Sequence, residues 1–147
     1  MENRIQEIYE LNRMIEHASG IRGDINAQWE LVKEEYDELK AEIEAGQYEK
    51  AKKEICDCIV VLAGLAYKMK FDLNKKLKEI NTQNLEKFVA TIEEAQETFD
   101  YYTDKGLSVA IRPVKKGAVA IISLESQKDD EGREYPKGKL LKPVHMI

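Results

Sequence analysis

Between Ile55 and Ala66 the chain passes through twelve residues with a single charge, Asp57. Wound as a helix, that stretch is apolar nearly all round, and a helix without a polar face must be covered on every side. A small bundle on its own has too few neighbours to supply that cover. A homo-oligomer is therefore expected, with the face carrying Val60 and Gly64 in the interface. Asp57 itself is left in apolar sequence, where an unpaired charge costs on the order of several kcal/mol. Something must compensate it.

The rest of the 147-residue chain limits what the surroundings can be. Its composition is 43% hydrophobic and 35% charged, enough for a core and too charged for a membrane protein. The longest run of apolar residues and glycine, Cys58 to Tyr67, is about half of a membrane-spanning helix. Met1-Glu-Asn-Arg opens without an apolar stretch, so no secretory signal and a cytoplasmic location are expected. Residues 1–104 hold 14 Lys/Arg against 23 Asp/Glu, and residues 105–147 hold 9 against 5. An acidic body argues against nucleic acid as the partner, because duplex affinity comes chiefly from phosphate neutralisation. Cys56 and Cys58, two apart on one helix, point in well-separated directions and cannot pair, and they read as small core residues of a reduced protein.

Hydrophobic periodicity predicts an all-α helical bundle of four to five helices, closed by a small β-hairpin and a loop tail. The helices span about Arg4–His17, Asp24 or Asn26 to Gly46, Gln47–Met69, Asp72 to about Lys87, and a last one opened by the capping box Thr91-Ile-Glu-Glu94 and closed by Gly106. Leu107–Pro113 and Gly117–Leu124 are rich in Val and Ile and flank Lys115-Lys116-Gly117, a hairpin pattern. The predicted division is a helical domain over residues 1–106 and a hairpin with a basic tail over residues 107–147.

On the second helix Val32, Tyr36, Leu39 and Ile43 form a stripe expected to be buried, at about 100° per residue. Gln28, Leu31, Glu35, Glu38 and Glu42 form a second stripe at its margin. Glu35 and Glu38 are neighbours one turn apart, and the third helix offers the matching pair Glu54 and Asp57. Four carboxylates gathered in a helical hairpin repel unless they share protons or a cation. An all-oxygen donor set suits Mg²⁺, or Mn²⁺, rather than zinc. Neither His17 nor His145 stands three residues after a Glu, which disfavours a di-iron bundle. Trp29 and Tyr36 could stack on a base, and Gln28 could read a base edge; core packing and surface filling are the ordinary roles of such residues.

Glu35-Tyr-Asp-Glu38 followed by Glu54-Ile-Cys-Asp57 resembles the E-x-x-E…E-x-x-D signature of the all-α nucleotide pyrophosphohydrolases, in particular the MazG-like enzymes. Asn84-Leu-Glu-Lys87-Phe88 is similar to that family's "SNMSK" segment, although Thr82 and Gln83 depart from the residues usual before the Asn. Tyr135 to Pro143 is similar to the closing segment of phage-type members, which would place the protein in a host cytoplasm. The resemblance implies a MazG-like fold, Glu35, Glu38, Glu54 and Asp57 as metal-binding and catalytic residues, and Asn84 and Lys87 on substrate phosphate. It implies Mg-dependent cleavage of nucleoside triphosphates, deoxynucleotides foremost, to a monophosphate and pyrophosphate by a homodimer or homotetramer. The rival expectation is a catalytically silent oligomerisation or regulatory module of the same fold.

Overall fold

The computed structural model describes residues 3–147, and among them the chain is mostly helical. Five α-helices are followed by a small hairpin: α1 Arg4–Ser19, α2 Ile25–Glu44, α3 Tyr48–Lys68, α4 Leu73–Leu85, α5 Ile92–Asp104, then strands β1 Val109–Lys115 and β2 Ala118–Ser123. The tail, expected as loop, carries two further short strands, β3 Gln127–Lys128 and β4 Glu134–Tyr135, which pair antiparallel. No helix of the described residues is long and apolar enough to cross a membrane. The chain forms two compact units, Met1–Lys78 and Glu79–Ile147. They part inside α4, whereas the sequence pattern put the division after Gly106. The reason is that α5 packs on β1 and β2, so the last helix belongs with the hairpin.

In the first unit, local signals set the helix ends. Asp24 caps α2 by accepting the Ala27 N–H, and Gly46, at φ 71°, takes the left-handed conformation that turns the chain from α2 into α3. The two helices run antiparallel, since Gln28 meets Val61 at one end and Glu35 and Glu38 meet Glu54 nearer the turn. The α3 positions that are buried are small: Ala51, Ala63, Gly64 and Ala66. A Cβ on Gly64 would come within 2.6 Å of the Gln28 amide nitrogen, so this face is filled by α2. Gly64 is thus covered within the chain, not left for a partner as expected, while Val60 remains exposed. Helix α1 is tied to α3 and its C-terminal segment through Tyr9, whose hydroxyl donates to the Phe71 carbonyl and whose ring meets Tyr67 edge-on.

Exposure on α2 differs from the expected stripe. Gln28 and Val32 are buried and Glu35 and Leu39 half-buried, while Tyr36 and Ile43 stand in solvent. The side with the acids is the one that faces α3. Ile25, Trp29, Tyr36 and Ile43 fall within about 40° of one another on the helix and all are exposed. On α3, Ile55, Ile59 and Leu62 form a similar uncovered row. Nor are the cysteines core residues: Cys56 is exposed and Cys58 half-buried.

The second unit holds the core. Val89, Tyr102, Val109, Val119, Ile121, Tyr135 and Leu141 pack into one cluster under α5. Strand β2 is buried along most of its length because it is paired on both edges. One edge takes β1 in register Ile111↔Ile121, through a turn at Gly117 (φ 78°), and the other exchanges hydrogen bonds with Val89 and with Lys139–Leu141. The predicted capping box opens α5, with the Thr91 hydroxyl accepting the Glu94 N–H and the Glu94 carboxylate accepting the Ala90 N–H.

Candidate metal centre

Two local facts bring acids together in the first unit. Glu35 and Glu38 are one turn apart on the α3-facing side of α2, and Glu54 follows the fully buried Ala51 by one turn on α3. One carboxylate oxygen from each of Glu35, Glu38 and Glu54 lies within 4.8 Å of the other two. Glu35 and Glu54 are half-buried, and Glu38 is open to solvent. The Oε2 atoms of Glu35 and Glu54 are buried without a hydrogen-bond partner. Buried carboxylate oxygens are ordinarily hydrogen-bonded, so the two are exceptions to the rule.

Electrostatics agrees with the crowding. Burial, then a hydrogen bond with Glu38 and its negative charge, push the Glu54 carboxyl above its ordinary value, against the opposing pull of Lys53. The Cys58 thiol, one turn beyond Glu54, is pushed up as well, by burial first and then by the charges of Glu35, Glu54, Asp57 and Glu38. All four acids therefore act on one neighbourhood. Cys58 was not singled out in the sequence as part of it, although its spacing of four from Glu54 places it beside that residue.

Asp57 takes a different place from the one expected. Its side chain is 31% exposed and is compensated by Lys53 from one turn earlier, with Lys53 Nζ to Asp57 Oδ2 at 2.6 Å. The pairing holds the Lys53 ammonium above its ordinary value. Asp57 stands outside the three-acid group and is paired with Lys53.

Gln28 is buried, and its amide nitrogen donates to the Val61 carbonyl at 2.9 Å, so that end of the side chain is engaged in packing. Trp29 is 47% exposed on the uncovered stripe of α2. Asn84, near the end of α4, and Lys87, just past it, belong to the second unit, and the Lys87 N–H donates to the Asn84 carbonyl. No family profile matches this chain, and neither does any curated protein or solved structure.

Proposed function

We propose that the protein is a divalent-metal-dependent nucleotide pyrophosphohydrolase of the all-α, MazG-like kind, working in the cytoplasm as a homodimer or homotetramer. The observation that carries this reading is the pair of buried, unpartnered oxygens on Glu35 and Glu54 beside Glu38. A purely carboxylate donor set fits Mg²⁺ or Mn²⁺, with Glu35, Glu38 and Glu54 as the residues that would hold it. Asp57, whose Oδ2 is paired with Lys53, is the fourth acid that the resemblance adds to the set. A bound divalent cation supplies neutralisation of phosphate charge and acidification of water.

The chain's own part is then defined. Glu38, the open member of the group, accepts a proton from water arriving at the site, while half-buried Glu35 and Glu54 keep their orientation through packing. The raised Glu54 carboxyl must lose its proton before it can act as a ligand or base, so activity should rise with pH through the elevated Glu54 value. Asn84 and Lys87 orient phosphate, as the resemblance implies. The water oxygen attacks the α-phosphorus, the α–β anhydride bond breaks, and pyrophosphate leaves with the bridging oxygen.

The uncovered rows on α2 and α3 support the oligomer, since each is a continuous apolar strip of a kind that marks an interface. A catalytically silent module of the same fold is the second reading, favoured by the Lys53–Asp57 pair, which already neutralises one acid. Thermal unfolding with and without millimolar Mg²⁺, read beside pyrophosphate release from a panel of nucleoside triphosphates, separates the two. Ligand at a hundredfold excess over its Kd stabilises by about 2.7 kcal/mol, and the silent module predicts neither this shift nor release.

A further inference from the structure

A cavity of about 360 Å³ in the second unit is lined by five cations: Lys87, Lys105, Arg133, Lys139 and Lys142. They come from the end of α4, the end of α5 and the tail, so only the fold gathers them. Lys87, Lys105 and Lys139 are half-buried. Among the described residues, none of the five lies within ion-pair distance of a carboxylate. That contrasts with Arg13, Lys33, Lys52, Lys53 and Lys68 of the first unit, each of which has its Glu or Asp.

Three of these cations lie over aromatic rings. Lys139 Nζ sits 5.5 Å from the centre of the Tyr135 ring and Arg133 sits 5.8 Å from it. Lys105 Nζ is 4.9 Å from the ring of Tyr101. A ring face attracts a cation and leaves its charge available to an anion. Two acidic side chains, Glu131 and Asp129, also line the cavity and draw on Lys105, which leaves five cations against two acids; Asp129 is held in place by hydrogen bonds. Its Oδ1 accepts the Glu131 and Arg133 N–H groups, and its Oδ2 accepts the Tyr135 hydroxyl at 3.0 Å. Glu131 is exposed at the surface.

We infer that this cavity binds a small molecule bearing a chain of phosphates. Its volume lies at the lower end of the range for small-ligand sites, and cations on several walls suit an anion with several phosphates better than a single carboxylate. The cavity shares Lys87 with the catalytic reading, and the inference rests on that reading at this one residue while going beyond it at the others. No role attaches there to Lys105, Arg133 or Lys139, and the acids of the first unit take no part.

The test is calorimetric titration in the presence of EDTA, which silences any divalent-metal site, with inorganic tripolyphosphate, a nucleoside triphosphate and a single-stranded oligonucleotide as probes. Tripolyphosphate should bind. Lys105→Gln and Lys139→Gln should each weaken it roughly tenfold, while Lys116→Gln on the hairpin turn and Glu54→Gln in the first unit leave it unchanged. Tighter binding of the nucleoside triphosphate than of tripolyphosphate names a nucleotide as the source of the phosphates; equal binding names the phosphate chain alone. The inference is overturned if neither binds at millimolar concentration, if Lys116→Gln weakens binding as much as Lys105→Gln, or if only the oligonucleotide binds. A second variant at Lys139 keeps the test decisive if Lys105→Gln disturbs the fold.

Discussion

The two units of this chain are of similar size and differ in how they are satisfied. In the second, Ile121 is fully buried and large side chains from five segments close around it. In the first, the buried hydrophobic residues are Val32, Ala51, Ala63 and Ala66, while Ile59 and Leu62 are 51% and 48% exposed. The acids differ in the same sense. Burial would push Asp129 up, yet hydrogen bonds from Arg133, Tyr135 and Glu131 hold it below its ordinary value. Glu54 is pushed above, with a buried oxygen left unpartnered. The second unit closes a core of large side chains; the first leaves apolar rows exposed and two carboxylate oxygens unpartnered. The lesson is that the two units lack different things: the first lacks cover for apolar rows and carboxylate oxygens, the second lacks counter-charge for the cations of its cavity.

The largest effect that can break this comparison lies in the cores. Ile121→Ala should destabilise the second unit by about 2–5 kcal/mol, the range for a fully buried Ile truncated in a packed core. Ile59→Ala, on an exposed row of α3, should cost far less at dilutions where the chain is monomeric. At higher concentration the order of importance changes. Ile59→Glu should convert an oligomer into the 16.9 kDa chain, as followed by sedimentation. A wild-type protein that stays at 16.9 kDa at micromolar concentration removes the interface from the account.

The next effect concerns the two acids and has opposite signs. Glu54 binds its proton more tightly folded than unfolded, so the stability it contributes is present at low pH. That contribution is lost as pH rises through its elevated folded value. Asp129 is the reverse, contributing stability above the ordinary carboxylate range that is lost as pH falls through its lowered value. Glu54→Gln should therefore raise the metal-free melting temperature near neutral pH, flatten its fall with rising pH, and abolish the response to Mg²⁺. Asp129→Asn should lower the melting temperature near neutrality and leave the Mg²⁺ response alone. Equal pH profiles for wild type and Glu54→Gln would show that Glu54 is an ordinary surface acid.

A smaller and narrower effect is expected at Lys87. If it acts on substrate phosphate, Lys87→Ala should lower kcat/KM by roughly ten- to a hundredfold, the loss of a charge-assisted contact worth about 1.5–3 kcal/mol. The thermal shift with Mg²⁺ should stay intact, since Lys87 is in the second unit and the acids are in the first. Full activity in Lys87→Ala would make Asn84-Leu-Glu-Lys87 a plain helix end.

Much of the fold was legible because its signals are local. The caps at Asp24 and Thr91, the left-handed glycine at 46 and the Val/Ile alternation around Gly117 each act within a few residues. The meeting of Glu35, Glu38 and Glu54 was legible too, since three-residue spacing on two helices joined by a tight turn leaves little freedom. Other features depend on which neighbour covers which face, and periodicity does not carry that. Tyr36 and Ile43 have the hydrophobic pattern of a buried stripe, yet α2 turns its acidic side to α3. Asp57 is compensated by Lys53 at i−4, an ion-pair spacing that the sequence itself offers. The cationic cavity draws on segments tens of residues apart, so no local signal announces it.

The smallest effect sharpens the comparison at its most ambiguous residue, Gln28. A substrate-reading role and a packing role make different demands on Gly64, whose added Cβ would stand 2.6 Å from the Gln28 amide nitrogen. Gly64→Ala gains about 1 kcal/mol of helix propensity. It also drives Gln28 off the Val61 carbonyl, and that hydrogen bond contributes about 0.5–1.5 kcal/mol. The net change by denaturant unfolding should thus lie within about 1 kcal/mol of zero. Against Gln28→Ala, where nothing is left to displace, the same Gly64→Ala should stabilise by close to the full propensity gain. The two substitutions should therefore couple by about 0.5–1.5 kcal/mol in a double-mutant cycle. Such coupling, with base preference unchanged in Gln28→Ala, assigns Gln28 to holding α2 on α3. Additive stabilities with altered base preference would instead free its amide for a nucleotide and show that the α2–α3 seam does not depend on it.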